Sequence, residues 1–387
     1  MSSQMPGGES VFRRWLESLR ESDPELYEEL VGRLERRVAT PESVSSPVSG
    51  VTLESASRGV DVQAIALETI VREGRPALLI RDNRIDGGAV ADAAAEVILR
   101  RLREAAPTLE PILPLVGRID VDNYPGPLAY VGTGWLVDRN IVVTNRHVAD
   151  LIARADDGKF RFRPGRFGED MRVAVDYRHE KDNNTSAIAR VSRVVWIEPD
   201  PRKADIAFLE VDRRSDGVRQ ESIALADSDA VPDNGVAVVG YPARAPAHII
   251  PDQAWMEQIY GSTYDVKRIA PGLIGANSRG WATHDCTTLG GNSGSVVLDM
   301  KSGRAVALHF AGLYMIENYA VPASTIKQYL KDRPWHSSSS PRREQIDRNQ
   351  TNGGQTPSGQ GSAPSQQVAS GGSEVHAERG QVSVTIP

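Results

Sequence analysis

The chain has 387 residues, 40% of them hydrophobic, enough for two or three compact units. A formal charge of −6 and a pI near 5.8 remove any global electrostatic case for nucleic acid or membrane binding. One cysteine, Cys286, excludes an internal disulfide, no run is long and apolar enough to span a bilayer, and the first residues lack a signal-peptide core, so a reducing, cytoplasmic setting is expected.

Residues 10–38 carry apolar side chains at helical spacing, with Phe12, Trp15, Leu16 and Leu19 on one face. Leu26, Leu30, Val31 and Leu34 line another, and Asp23-Pro24 marks a helix start between them. Residues 39–50 are a linker by composition, so 1–50 reads as a helical segment and linker. Across 51–111 the pattern predicts a helix over 62–73, a strand over 77–81 and a helix over 90–105 with an apolar stripe of Val97, Ile98 and Leu102. This α-rich accessory region holds no cluster of His, Cys or paired carboxylates. It reads as a regulatory, partner-docking module or as a structural extension of the next domain.

From about Leu115 the texture becomes short β-rich segments broken by Gly, Pro, Asn and Asp. Strands are predicted at 132–138, 140–145, 171–177, 186–197, 206–211, 236–241, 281–287 and 304–310, then a helix at 323–331. The loop 242–280, with Trp255, Tyr260 and Tyr264, is expected to fold over a cleft. Arg161 to Phe167 mixes base and aromatic but reads as a solvated hairpin rather than an RNA contact. Residues 337–387 are a low-complexity tail too poor in apolar side chains to offset ordering entropy, and are predicted to be disordered.

The chemistry centres on Thr288-Leu-Gly-Gly-Asn-Ser-Gly-Ser, a glycine-rich turn ahead of an apolar strand. A serine at its apex, Ser293, can be a nucleophile, with the N–H groups of Gly291 and Ser293 aimed at a developing oxyanion. Alone, the motif is equally an ordinary hairpin turn. His147, in Thr144-Asn-Arg-His-Val-Ala149, stands where a buried strand turns toward a short helix; Asp205, in Ala204-Asp-Ile-Ala-Phe-Leu-Glu210, opens an apolar strand. Each alone is a plausible structural residue. In order they supply a base, the carboxylate that orients it, and a nucleophile, each at a strand's edge. Cys286 has no helper spacing for a metal and reads as a small core hydrophobe.

The segments GTGWLV (132–137), TNRHVA (144–149), ADIAFLEV (204–211) and GGNSGS (290–295), with His309-Phe-Ala-Gly312 and a closing helix, resemble the trypsin-like (chymotrypsin-fold) serine peptidases. The resemblance covers roughly residues 112–333, and the domain is placed at 112–336. It implies two six-stranded antiparallel β-barrels with the active-site cleft between them, His147 and Asp205 from the first and Ser293 from the second. It also implies an oxyanion hole at Gly291 and Ser293. Asn292 stands where animal digestive members have the Asp that pairs with a new N-terminus, so activation of that kind is not expected. The pattern is nearer to bacterial members, particularly glutamyl endopeptidases, whose acidic-substrate contacts fall at Thr288 and His309, with Ala311 and Gly312 in the same pocket wall. A pocket for small apolar side chains is the alternative. Thr287 at the position of the basic-specificity aspartate argues against cleavage after Lys or Arg.

These readings predict a serine endopeptidase without metal or organic cofactor, acting on a protein or peptide substrate and regulated through residues 1–111, by analogy in bacterial defence or stress. The competing expectations are a catalytically silent peptide-binding scaffold and a self-processing protease that cuts at 39–50 or 337–379.

Overall fold

Alternating burial along short strands builds most of the structure: Arg172 to Asp176, for example, buries every second residue. In the computed structural model, residues 74–87 and 95–336 are described, apart from 248–249, 251, 277–279 and 314–316, together with Arg20, Pro24 and Tyr27. The helices expected at 10–38 and 62–73, the linker and the tail lie outside the described residues, except that Arg20, Pro24 and Tyr27 are helical.

The first half runs β1 (Leu78–Arg81), β2 (Arg84–Ile85), α1 (Glu96–Leu109), β3 (Val116–Asp122), β4 (Tyr130–Asp138), β5 (Ile141–Thr144), α2 (Arg146–Ile152), β6 (Ala153–Asp156), β7 (Lys159–Phe162), β8 (Arg172–Asp176), β9 (Ile188–Ile197) and β10 (Ala207–Val211). The second runs β11 (Gly235–Gly240), α3 (Gln253–Tyr260), β12 (Arg268–Leu273), β13 (Ala282–His284), β14 (Val296–Asp299), β15 (Ala305–Leu313), β16 (Glu317–Pro322) and α4 (Ala323–Asp332).

Six strands close a barrel in the order β10-β5-β4-β3-β8-β9. Its interior is filled by Ile119, Leu136, Val142, Val175, Val194 and Leu209. The second sheet runs β13-β16-β15-β14-β11-β12 and continues into β1-β2. A bridge between Ile274 and His284 brings the end of β12 back to β13, so the six strands β11 to β16 curl shut and the β1–β2 hairpin is added outside. Both barrels are antiparallel throughout. This is the mainly β double-barrel architecture that the family resemblance implied.

Three elements differ from the pattern-based expectation. The helix expected to end at 105 continues to Leu109 and into a 3-10 turn, Glu110–Leu115, because burial of Leu109 and Leu113 outweighs the missing N–H of Pro107. Segment 242–280 is not simply a flap. It contains α3, whose Met256 and Tyr260 are buried, and the central strand β12. The hairpin β1–β2 pairs with β12 (Leu78 opposite Ile269), and α1 packs in one apolar cluster with Leu298 and Val239 of the second sheet.

That same cluster takes in Trp135 and Phe208 from the first barrel. Phe208, fully buried on β10, sets its ring 6.2 Å from Tyr329 of α4 and 5.0 Å from Trp335. Phe208→Ala should therefore leave a cavity and cost about 3–5 kcal/mol, measurable as a lowered midpoint in denaturant unfolding.

Candidate active site

β10 lies antiparallel to β5 with Ala207 opposite Thr144, which brings the residues flanking these two strand ends together. Asn145 Nδ2 donates to the Asp205 carbonyl at 3.0 Å, and the His147 N–H donates to Asp205 Oδ1 at 3.1 Å. His147 is the second residue of α2, and its Nδ1 lies 2.6 Å from Asp205 Oδ2. Burial pushes the Asp205 carboxyl up. The His147 charge, its hydrogen bonds and nearby Arg146 more than compensate and hold it below the ordinary carboxylate value. A carboxylate on Nδ1 selects the tautomer with the proton there and leaves Nε2 as the basic atom.

Ser293 sits in the turn before β14. Gly291 and Gly294 have φ of +89° and +86°, in the left-handed region where a side chain is strained. Their missing Cβ atoms also allow close approach, to the Tyr241 carbonyl and Tyr130 ring at Gly291, and to the Thr133 carbonyl and Thr144 hydroxyl at Gly294. The Thr133 N–H donates to the Ser293 carbonyl and Thr133 Oγ1 to the Gly291 carbonyl, both at 2.8 Å. Thr144 Oγ1 donates to the Thr133 carbonyl, also at 2.8 Å. Gly132, one residue earlier, lies between the Ser293 carbonyl and the side chain of Val148, the neighbour of His147. The serine turn of the second barrel is thus seated on the first barrel, beside the start of α2.

Within the turn the Asn292 N–H donates to Leu289 and the Gly294 N–H to His309, at 3.1 and 2.9 Å. These bonds fix the loop around the amides of Gly291 and Ser293. Asn292 is buried and accepts from Ser295 Oγ at 3.3 Å.

His309, on β15, also donates its N–H to the Ser295 carbonyl, so its strand runs beside the serine turn. Thr288 and His309 are both fully buried and are joined through two intermediaries. Thr288 Oγ1 donates to Asn318 Oδ1 at 2.8 Å; Asn318 Nδ2 lies 3.4 Å from His284 Nδ1; His284 Nε2 lies 3.2 Å from His309 Nδ1. Asn318 Nδ2 also donates to the Cys286 carbonyl at 2.6 Å. Burial lowers His284 to about 4, and burial with the nearby His284 and His147 charges holds His309 well below the usual histidine range. Both rings are neutral at neutral pH. Ala311 and Gly312 continue β15 opposite Tyr319 and Asn318. Thr133, His284 and Asn318 escaped the sequence reading, because an isolated Thr, His or Asn in a β-rich segment carries no pattern. Cys286 is a fully buried free thiol, pushed well up by burial.

The profile of the trypsin-like peptidase domain matches residues 132–308. This segment is a trypsin-like peptidase domain. The chain is also 29% identical over 300 residues to a probable serine protease of Lysobacter enzymogenes, a match covering 69% of this chain and 73% of the relative. The enzyme class is therefore serine endopeptidase. Among the described residues no helix is long and apolar enough to cross a membrane.

Two outcomes are expected from the site's environment. An unfolded imidazole takes its proton near 6.5, whereas folded His284 takes it only near 4, so the unfolded chain binds more protons between those values. This residue should make stability fall as pH drops from about 6.5 to about 4, and His284→Gln should flatten that fall in urea midpoints measured against pH. Thr133→Val keeps volume but strips the Gly291 carbonyl of its buried donor. It should cost about 1–3 kcal/mol in the same unfolding measurement.

Proposed function

We propose that this peptidase hydrolyses peptide bonds through Ser293, His147 and Asp205. The observation that carries the assignment is the 2.6 Å contact of His147 Nδ1 with Asp205 at the ends of β5 and β10, where β5 also braces, through Thr144, the β4 residue that seats the Ser293 turn. Ser293 Oγ would attack the scissile carbonyl while His147 Nε2 takes its proton, and the N–H groups of Gly291 and Ser293 would receive the negative charge. His147 then returns the proton to the leaving amine, and water repeats the sequence on the acyl-enzyme. Asp205, kept ionised in a buried site, stabilises the imidazolium that forms meanwhile.

The finer reading is of specificity. Thr288, His309, Ala311 and Gly312 would line the primary pocket and take an acidic side chain. His309 Nε2 supports this, since it is buried with no hydrogen-bond partner among the described residues. A neutral imidazole N–H there is a donor for a carboxylate. Regulation by a partner through residues 1–111 and a cytoplasmic setting complete the reading, the latter resting on the single, unpaired cysteine.

The name of the Lysobacter relative agrees with the class. Purified protein should label with an alkyl fluorophosphonate, and Ser293→Ala should abolish labelling. Asp205→Asn should lower peptide turnover by about 10⁴. Wild-type protein that binds peptides but never labels would instead make the chain a silent scaffold. Shortening on storage that Ser293→Ala prevents would make it self-processing.

A further inference from the structure

The β1–β2 hairpin touches both barrels, and the residues just before it touch the segment that leads to Ser293. Along its edge, Leu78 and Leu79 pair with Ile269 and Arg268 of β12. Its turn, with Asp82 and Asn83 at φ of +50° and +57°, reaches the first barrel. There Arg178 Nη2 contacts Asp82 at 2.7 Å, Arg81 Nη1 contacts Asp182 at 3.0 Å, and the Asn83 N–H donates to Glu180 at 3.2 Å. These three contacts are mostly exposed, and each is worth little alone.

The contacts just before β1 are of another kind. The guanidinium of Arg75 grips Asp285 with two bonds, Nε to Oδ1 at 3.0 Å and Nη2 to Oδ2 at 2.6 Å. Both side chains are less than a fifth exposed, at 18% and 17%. The Arg75 carbonyl accepts from Thr287 Oγ1 at 2.5 Å. Asp285 Oδ1 also accepts the Leu273 N–H at 2.7 Å, so this carboxylate ties β12, the segment before β1 and the approach to Ser293 together. A planar fork on a carboxylate fixes direction as well as distance, which a lysine in the same place would not do. The next residue after Thr287 is Thr288, already held through Asn318 in the row of bonds that ends at His309.

We propose that Arg75 is a positioning residue for the primary specificity pocket. It sets the 285–288 segment from outside the barrel and so makes the pocket wall depend on chain that lies N-terminal to the peptidase motifs. The proposal rests on the assignment of Thr288 and His309 to that pocket. It adds that the pocket is completed by a segment outside the family match at 132–308. Whatever displaces the residues before β1 would act on substrate choice through this one side chain and its carbonyl.

The test compares two reagents on the full chain. An alkyl fluorophosphonate reads the nucleophile with no demand on the pocket. A set of peptidyl diphenyl phosphonates, differing only in the side chain next to phosphorus, reads the pocket. Arg75→Ala should slow labelling by the best peptidyl member about tenfold or more while leaving the alkyl reagent within about twofold, an energy near that of one buried charged hydrogen bond. Arg75→Lys should fall between, Asp285→Asn should reproduce the loss, and the double variant should be no worse than either single one. Unchanged peptidyl rates in Arg75→Ala and Arg75→Lys would overturn the proposal. So would a parallel loss with both reagents tracking a lowered melting temperature, since that is a purely structural role. If wild type and Ser293→Ala alike fail to label with either reagent, the nucleophile assignment fails and takes this proposal with it, a result distinct from failure at Arg75 alone.

Discussion

All three polar groups of Thr133 are spent on one task. Its N–H holds the Ser293 carbonyl, its hydroxyl holds the Gly291 carbonyl, and its own carbonyl accepts from Thr144. Thr144 is one residue from Asn145, which holds the Asp205 carbonyl, and Asp205 in turn holds His147. A continuous row of short bonds therefore runs from the serine turn of one barrel to the histidine and aspartate of the other. Apolar packing joins the barrels through Trp135, Phe208, Val239 and Leu298, but it is non-directional and cannot by itself fix a hydroxyl within reach of an imidazole. Directional bonds can. The glycines at 291 and 294 belong to the same constraint, because the turn meets its neighbours too closely for a Cβ.

Three histidines near this site show how environment divides one residue type into two uses. His147 has a carboxylate at 2.6 Å and is held in one tautomer by it. His284 and His309 face each other at 3.2 Å deep in the second barrel, where burial dominates and keeps both rings neutral. In the proposed mechanism the first gains and loses a proton. The other two are arranged as fixed hydrogen-bonding groups that keep their state across the pH range in which the first would work.

Legibility in the sequence divides in a similar way, between pattern and contact. Period-two segments such as 171–177 and 186–197 announced β8 and β9, because alternation is local. The motif residues His147, Asp205 and Ser293 stood out because each flanks an apolar strand. Thr133 did not, although it lies inside a recognisable segment, since its role is a contact with residues 158 and 160 positions later. His284 and Asn318 are similar cases. The apparent flap at 242–280 misled because Pro- and Gly-rich stretches mask a short central strand, β12, whose place is settled only by β11 and β1 on either side.

β12 also shows why the hairpin at 78–85 matters to a domain whose motifs begin about fifty residues later. Lys267, fully buried at its start, donates from Nζ to Leu113 at 3.0 Å and to Tyr177 at 2.5 Å, and its N–H donates to His179. Burial lowers this amine to about 7, and its N–H groups are directed at those two carbonyls. One residue of the second barrel thus fastens the 3-10 turn after α1 and the first barrel at once, away from the bonds of Thr133. With β1 paired alongside, Arg75 on Asp285 and α1 packed on the second sheet, the chain N-terminal to the motifs is held by hydrogen bonds and apolar contacts together. Polar ties at separate places, added to the apolar cluster the barrels share, set the relation of the two barrels. A change at one tie is therefore carried to the cleft through backbone that has little freedom to absorb it.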